Sequence, residues 1–264
     1  SVHFIGLTSP SGVTAEVIEN LSSLKNTALK NAVDLSIVNT DGWVDGEEAV
    51  AYKIQLIEKI APDIVVGIQH ENELSPILGA LKNRKIFSVN SPSVIRARDR
   101  EKRKILRELS YNKYLKDAKI QSFPLNWINV EGAFFKTKNH PADSLRRIRM
   151  LLGTNLVYFE ETPISVLLVL RKGKWIDENL IEKIENEYGK RAKVIREGDE
   201  EGLFVAFQDD DGRFLGIGVI RSIDYRRRVM KVYTPVYKNV ASVLVGQIKL
   251  DEKGREIGVS PVFL

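Results

Sequence analysis

The sequence predicts an α/β fold over residues 1–118 and a mainly β domain over 119–264, on three observations. Short apolar, β-branched runs alternate with stretches of helical periodicity up to about residue 115, the rhythm of a parallel sheet covered by helices. The run Asp63-Ile64-Val65-Val66-Gly67-Ile68 is apolar almost throughout, as in parallel strands buried on both faces. Beyond Lys119 alternating runs dominate, and Asp210-Asp211-Gly212 and Glu252-Lys253-Gly254 supply hairpin turns.

The elements follow in order. Val2-His3-Phe4-Ile5 reads as a strand and Ala15 to Leu24 as a helix. Asp34-Leu35-Ser36-Ile37-Val38 alternates and predicts a second strand. Ala49, Ile54, Leu56, Ile57 and Ile60 fall at helical spacing and predict the helix after it. Ser75 to Leu81 reads as a short helix, Lys85 to Val89 as a strand, and Ser93 to Leu115 as a basic helix. In the second half, Phe123 to Lys136 alternates through Trp127, Ile128, Val130, Phe134 and Phe135. Ser165–Leu170, Leu203–Phe207, Phe214–Ile223, Val229–Thr234 and Ser242–Leu250 read as further strands, interrupted by a helix over Glu178–Tyr188. The domain boundary falls near Lys116 to Gln121.

With 264 residues, 43% hydrophobic and 28% charged, the chain has the composition of an ordinary globular protein. No apolar run approaches the roughly 20 residues that span a bilayer, so no membrane partner is expected. No secretory leader is expected, and cysteine-free composition fits a cytoplasmic protein and removes disulfides, thiolate zinc sites and a cysteine nucleophile. Net charge is +5 with a pI near 9.2, a mild basic bias that permits nucleic-acid binding.

Asn39-Thr40-Asp41-Gly42-Trp43 stands at a strand-to-helix junction, where open α/β sheets bind ligands. Trp43, with Gly42 before it and Gly46 after it, can offer a flat face for stacking on a nucleobase. On residue type alone, burial beneath the following helix is the favoured alternative. On the basic helix, Arg96, Arg100, Arg103 and Arg107 recur at helical spacing on one face. A row of guanidinium groups suits phosphate through its bidentate fork, while Asp99, Glu101 and Glu108 allow a simpler solvated face.

Gly6 to Thr14 has the place of a phosphate loop, but Val13 stands where the phosphate-reaching lysine belongs. An ordinary turn is expected there. His3, His70 and His140 are far apart and lack nearby ligand pairs, so no metal site is proposed. Asp209-Asp210-Asp211-Gly212 lacks the later glutamate of a calcium loop and reads as a hairpin turn. Tyr225-Arg226-Arg227-Arg228 is a basic turn suited to nucleic acid or simply to solvent, and no Ser/His/Asp set is identifiable.

Thr40-Asp41-Gly42-Trp43-Val44, followed by Gly46 and a helix, resembles the clasp of the polynucleotide 5′-hydroxyl kinases. That family contains the messenger-RNA cleavage-factor kinase subunit, the pre-ribosomal-RNA-processing kinases and their archaeal relatives. Further stretches match in order. Phe4 to Pro10 resembles the strand and turn before the clasp. Arg103-Lys104-Ile105-Leu106-Arg107-Glu108, continuing to Tyr111 and Tyr114-Leu115, resembles the arginine lid. Gly216 to Ile220, Ser222-Ile223-Asp224, Thr234-Pro235-Val236, Gly246, Leu250-Asp251 and Gly254-Arg255-Glu256 resemble the C-terminal domain.

The resemblance implies a partial P-loop-type parallel sheet with helices, followed by a mainly β C-terminal domain. It implies transfer of a phosphoryl group from ATP or another NTP, with Mg2+, to the 5′-hydroxyl end of RNA or DNA. Thr40, Gly42 and Trp43 would bind substrate and Arg103 and Arg107 would act catalytically, with Arg96 and Arg100 as further phosphate contacts. The family's lysine-bearing loop lies N-terminal to the first matched strand, so the nucleotide site is expected upstream of Ser1 and this piece is expected to be inactive alone. Expected partners are a nucleic-acid end, the N-terminal kinase segment and an RNA-processing complex. A non-catalytic RNA-end-binding scaffold and a P-loop GTPase-like regulator are the alternatives.

Overall fold

The computed structural model describes residues 2–31, 33–82, 84–92, 99–131 and 142–260. The chain divides into two compact units, Ser1–Glu101 and Lys102–Leu264. The fold class is α/β: a parallel strand pair with helices, then a largely antiparallel β region.

The first unit runs α1 (Thr14–Lys30), α2 (Glu47–Ile60), β1 (Ile64–Gln69), α3 (Ser75–Ala80) and β2 (Lys85–Asn90). β1 and β2 pair in parallel from Ile64↔Lys85 to Gln69↔Asn90. Helix α2 starts at Gly46 and stops where Ala61 turns left-handed. Its buried positions Ala49, Tyr52, Lys53, Leu56 and Ile60 make one stripe. That stripe meets Ile18 of α1, and Lys25 Nζ donates to the Ile60 carbonyl, satisfying one of the helix-end acceptors. Gly67 lets α3 approach β1: a Cβ there would lie 2.9 Å from Leu78 Cδ1.

Two expectations are corrected here. Residues 2–5 and 35–38 have no regular secondary structure and belong to no strand among the described residues, and Leu35 and Ile37 are 77% and 82% exposed. An alternating pattern makes a strand only where a neighbouring edge accepts its hydrogen bonds, and the described residues offer none. Likewise Ile64, Val66 and Ile68 of β1 are exposed, so the strand expected to be covered on both faces has one face open.

Helix α4 (Arg100–Tyr114) leads into the second unit, and compactness places all but its first two residues there. β3 (Lys119–Pro124) and β4 (Asn129–Glu131) stand where one strand was expected over 123–136; residues 132–136 lie outside the described residues. Next come α5 (Ala142–Leu152), β5 (Leu156–Glu161), β6 (Ser165–Leu170), α6 (Glu178–Tyr188) and β7 (Arg191–Arg196). β8 (Leu203–Gln208), β9 (Phe214–Asp224), β10 (Val229–Thr234), β11 (Ser242–Leu250) and β12 (Glu256–Val259) complete the unit.

One sheet has the order β12-β11-β8-β9-β10-β3, antiparallel, with β4 added in parallel to β11. A second has the order β5-β6-β7, with β6 and β7 parallel and α6 between them in sequence. α6 is capped by the Asp177 carboxylate, which accepts from the Asn179 N–H at 2.8 Å, and ends on left-handed Gly189. β6 is buried on both faces. Val166, Leu168 and Leu170 pack with Ile148 and Ile184 of the helices. Leu167 and Val169 pack with Phe207, Val205 and Ile220 of the larger sheet. Gly218 marks a close approach: a Cβ would meet Val232, Phe207 and Thr234 at 2.5–3.1 Å.

Candidate nucleic-acid site

The turn around Trp43 is organised by Asp41. One carboxylate oxygen accepts from the Trp43 N–H at 3.1 Å, an Asx turn that folds the backbone back on itself. The other accepts from the Tyr52 hydroxyl at 2.9 Å. Lys53 Nζ closes the site, 3.0 Å from the carboxylate and donating at 2.7 Å to the Asp41 carbonyl. Tyr52 and Lys53 sit in the first turns of α2 and are buried, so the turn is tied to a packed helix. Partial burial pushes the Asp41 carboxyl up, but the bonds from Lys53, Tyr52 and the Trp43 amide hold it below the usual carboxylate range. Burial, together with Asp41, pushes the Tyr52 phenol up.

Trp43 is half-buried and stacks on Tyr52, with ring centroids 5.9 Å apart and planes 27° from parallel. It packs at the margin of the Ile18–Tyr52–Leu56–Ile60 cluster and remains partly accessible. Gly42 is exposed, and a Cβ there would meet nothing. Thr40 is exposed, its hydroxyl donating at 3.3 Å to the Asp41 carbonyl. Thr40, Gly42 and Trp43 therefore share one turn. The sequence motif includes Asp41 without giving it a role and does not reach Tyr52 or Lys53; an Asp two residues before a Trp, at an Asx-turn spacing, was the available signal.

Arg100, Arg103 and Arg107 lie along α4; Arg96 lies outside the described residues. Arg103 is exposed and has no ion pair among the described residues. Arg107 differs: its Nε and one terminal nitrogen donate to the two oxygens of Glu256 at 2.6 and 2.7 Å. The Tyr111 hydroxyl donates to Glu256 at 3.1 Å, and the Glu256 N–H donates to Glu108 at 2.8 Å. Arg107 holds the Glu256 carboxyl below its ordinary range, and burial with Glu256 pushes the Tyr111 phenol up to about 12.

The Gly6–Thr14 segment folds as a turn. The Val13 N–H donates to the Pro10 carbonyl at 3.0 Å and the Ser11 N–H to Ser9 Oγ at 3.4 Å, so two of its amides are turned inward. Asp209 likewise accepts from the Asp211 and Arg213 amides, the bonding of a hairpin turn. Among the described residues no group of three or more His, Asp or Glu is placed to hold a metal ion.

Residues 1–117 match the family described as mRNA cleavage and polyadenylation factor CLP1 P-loop. A polyribonucleotide 5′-hydroxyl-kinase of Methanocaldococcus jannaschii is 26% identical over 267 residues, covering 97% of this chain and 70% of its own length. One from Pyrococcus furiosus is 26% identical over 268 residues, covering 97% of this chain and 71% of its own. Among solved structures, wild-type Clp1p in complex with Pcf11p superposes with a TM-score of 0.52 at 12% identity, over 94% of this chain. This chain spans 55% of that one.

Proposed function

We propose that this chain, whose residues 1–117 match the mRNA cleavage and polyadenylation factor CLP1 P-loop family, is the C-terminal portion of an NTP-dependent polynucleotide 5′-hydroxyl kinase. The complete protein moves the terminal phosphoryl group of ATP or another NTP to the 5′-hydroxyl of RNA or DNA, in the cytoplasm and in company with RNA-processing proteins. The observation that carries this reading is the Asp41-braced turn, which presents Trp43 on a rigid base beside an open Gly42. Such a turn fixes a terminal base by stacking and so positions the 5′-hydroxyl. Thr40 supports the turn, and Gly42 leaves room for a substrate phosphate.

Arg103 and Arg107 are the proposed arginines for the charge that develops on the transferring phosphoryl group. Arg103 is exposed and, among the described residues, has no ion pair to give up. Arg107 reaches it by exchanging Glu256 for phosphate. The phosphate-holding loop lies in an upstream segment, and the open face of β1 with exposed Leu35 and Ile37 supports that reading, because such apolar surface is ordinarily covered. Residues 1–264 incubated with labelled ATP, Mg2+ and a 5′-hydroxyl oligonucleotide give no transfer above background, whereas the protein extended through its upstream segment does. Turnover by the shorter chain, or none by the extended one, overturns the reading. A non-catalytic end-binding subunit is the second reading, favoured by the engagement of Arg107 with Glu256.

A further inference from the structure

We infer that the second unit carries its own binding surface for single-stranded nucleic acid, formed by the Trp175–Arg196 stack and the basic cleft beside it. Trp175 lies in the β6–α6 loop and is 77% exposed. The Arg196 guanidinium lies 3.5 Å from its ring centroid. Arg196 is fixed in turn: its Nε donates to the Lys174 carbonyl at 3.1 Å and it pairs with Asp199 at 3.9 Å. One face of the indole is thus covered by a cation, and the other is left to solvent. A flat aromatic face held rigid in water is what an unstacked base requires.

The loop joins this ring to a cleft. The Lys174 N–H donates to the Arg171 carbonyl at 3.0 Å, a tight turn that sets Arg171 at the cleft wall. The cleft, about 600 Å³, is completed by the β9–β10 hairpin with Arg226, Arg227 and Lys231. Two carboxylates also line it. Asp224 is occupied by the hairpin, accepting from the Arg226 and Arg227 amides at 3.1 and 2.9 Å. Glu197 is the other. The cations outnumber the acids, and four positive side chains around one cleft suit a run of phosphates. An acidic peptide would satisfy those cations but leave the open indole face without a use; a duplex would hide its base faces. A single strand uses both. The inference rests on the proposed function only for the class of ligand.

The test is the affinity of residues 1–264 for a labelled circular single-stranded oligonucleotide, which has no 5′ end for the Trp43 turn to hold. Trp175→Ala is expected to weaken binding by about 5- to 150-fold, the worth of one base–aromatic stack, and Trp175→Phe to restore most of it. Joint Arg226→Ala and Arg227→Ala substitution is expected to lower the slope of log affinity against log salt by about 1.4, two phosphate contacts at about 0.7 each. Trp43→Ala is expected to leave circle binding unchanged while weakening a linear 5′-hydroxyl strand, so the two readings fail separately. Circular dichroism establishes that each variant is folded. Affinity of folded Trp175→Ala within about twofold of wild type overturns the inference. So does equal competition by polyglutamate, which would make the cleft an acidic-protein surface.

Discussion

Arg107 and Glu256 clamp helix α4 to strand β12 through two parallel bonds of 2.6 and 2.7 Å, although 149 residues separate them in sequence. Glu256 is the more deeply placed partner, its side chain 11% exposed against 35% for Arg107. Bidentate geometry and partial burial make this a stronger interaction than an ordinary surface pair.

Removing Arg107 leaves a mostly buried carboxylate with Tyr111 as its remaining side-chain donor. Arg107→Ala is therefore expected to cost about 1–2 kcal/mol of stability, the lower part of the range for an unsatisfied group because Arg107 is itself a third exposed. Arg103→Ala should stay within about 0.5 kcal/mol of wild type. Urea unfolding separates them. In the complete protein, if it is the proposed kinase, Arg103→Ala should instead lower saturated turnover, by up to about 10³- to 10⁵-fold as for an arginine finger. Equal stability losses at the two positions would remove the distinction drawn between them.

The Trp43 turn should fail when its brace fails. Tyr52→Phe deletes one hydrogen bond to Asp41 and leaves the aromatic stack, so a stability loss of about 0.5–1.5 kcal/mol is expected. It should also weaken binding of a linear 5′-hydroxyl oligonucleotide. Trp43→Ala should weaken that binding further, by about 1–3 kcal/mol. Affinity per folded molecule unchanged in both variants would make the turn purely structural.

Acid should loosen both units. Asp41 and Glu256 have folded-state pKa values below their unfolded ones, so each favours folding fully above the ordinary carboxylate range, near pH 4. That contribution disappears as pH falls through the lowered folded value. Asp41→Asn and Glu256→Gln should each flatten the acid limb of stability against pH. An unchanged limb in either variant would mean that the pair is already screened.

Two glycines should respond differently to a methyl group. Gly218→Ala forces a Cβ against Val232, Phe207 and Thr234 in the sheet core and should cost about 1–3 kcal/mol. Gly67→Ala meets the end of the flexible Leu78 side chain and should cost less. Thermal unfolding of both variants gives the order.

Local pattern carried most of the second unit. Glu178–Tyr188 and Ser165–Leu170 were legible because their periodicity, caps and turns are written in neighbouring residues. So was a turn at Gly42 and Trp43, which the Asp41 side chain closes. By contrast, α5, β5, β7 and β12 went unread, and residues 2–5 and 35–38 were assigned strands that do not form. An extended chain is a strand only by virtue of a neighbour's hydrogen bonds, which no local pattern contains. Tertiary structure alone decided the partners that matter most at the site. It set Tyr52 and Lys53 on Asp41, and it gave Arg107 to Glu256 while leaving its helical neighbour Arg103 exposed. Charge and spacing on a helix are fixed by sequence, whereas which cation meets an anion depends on the surface folded against it.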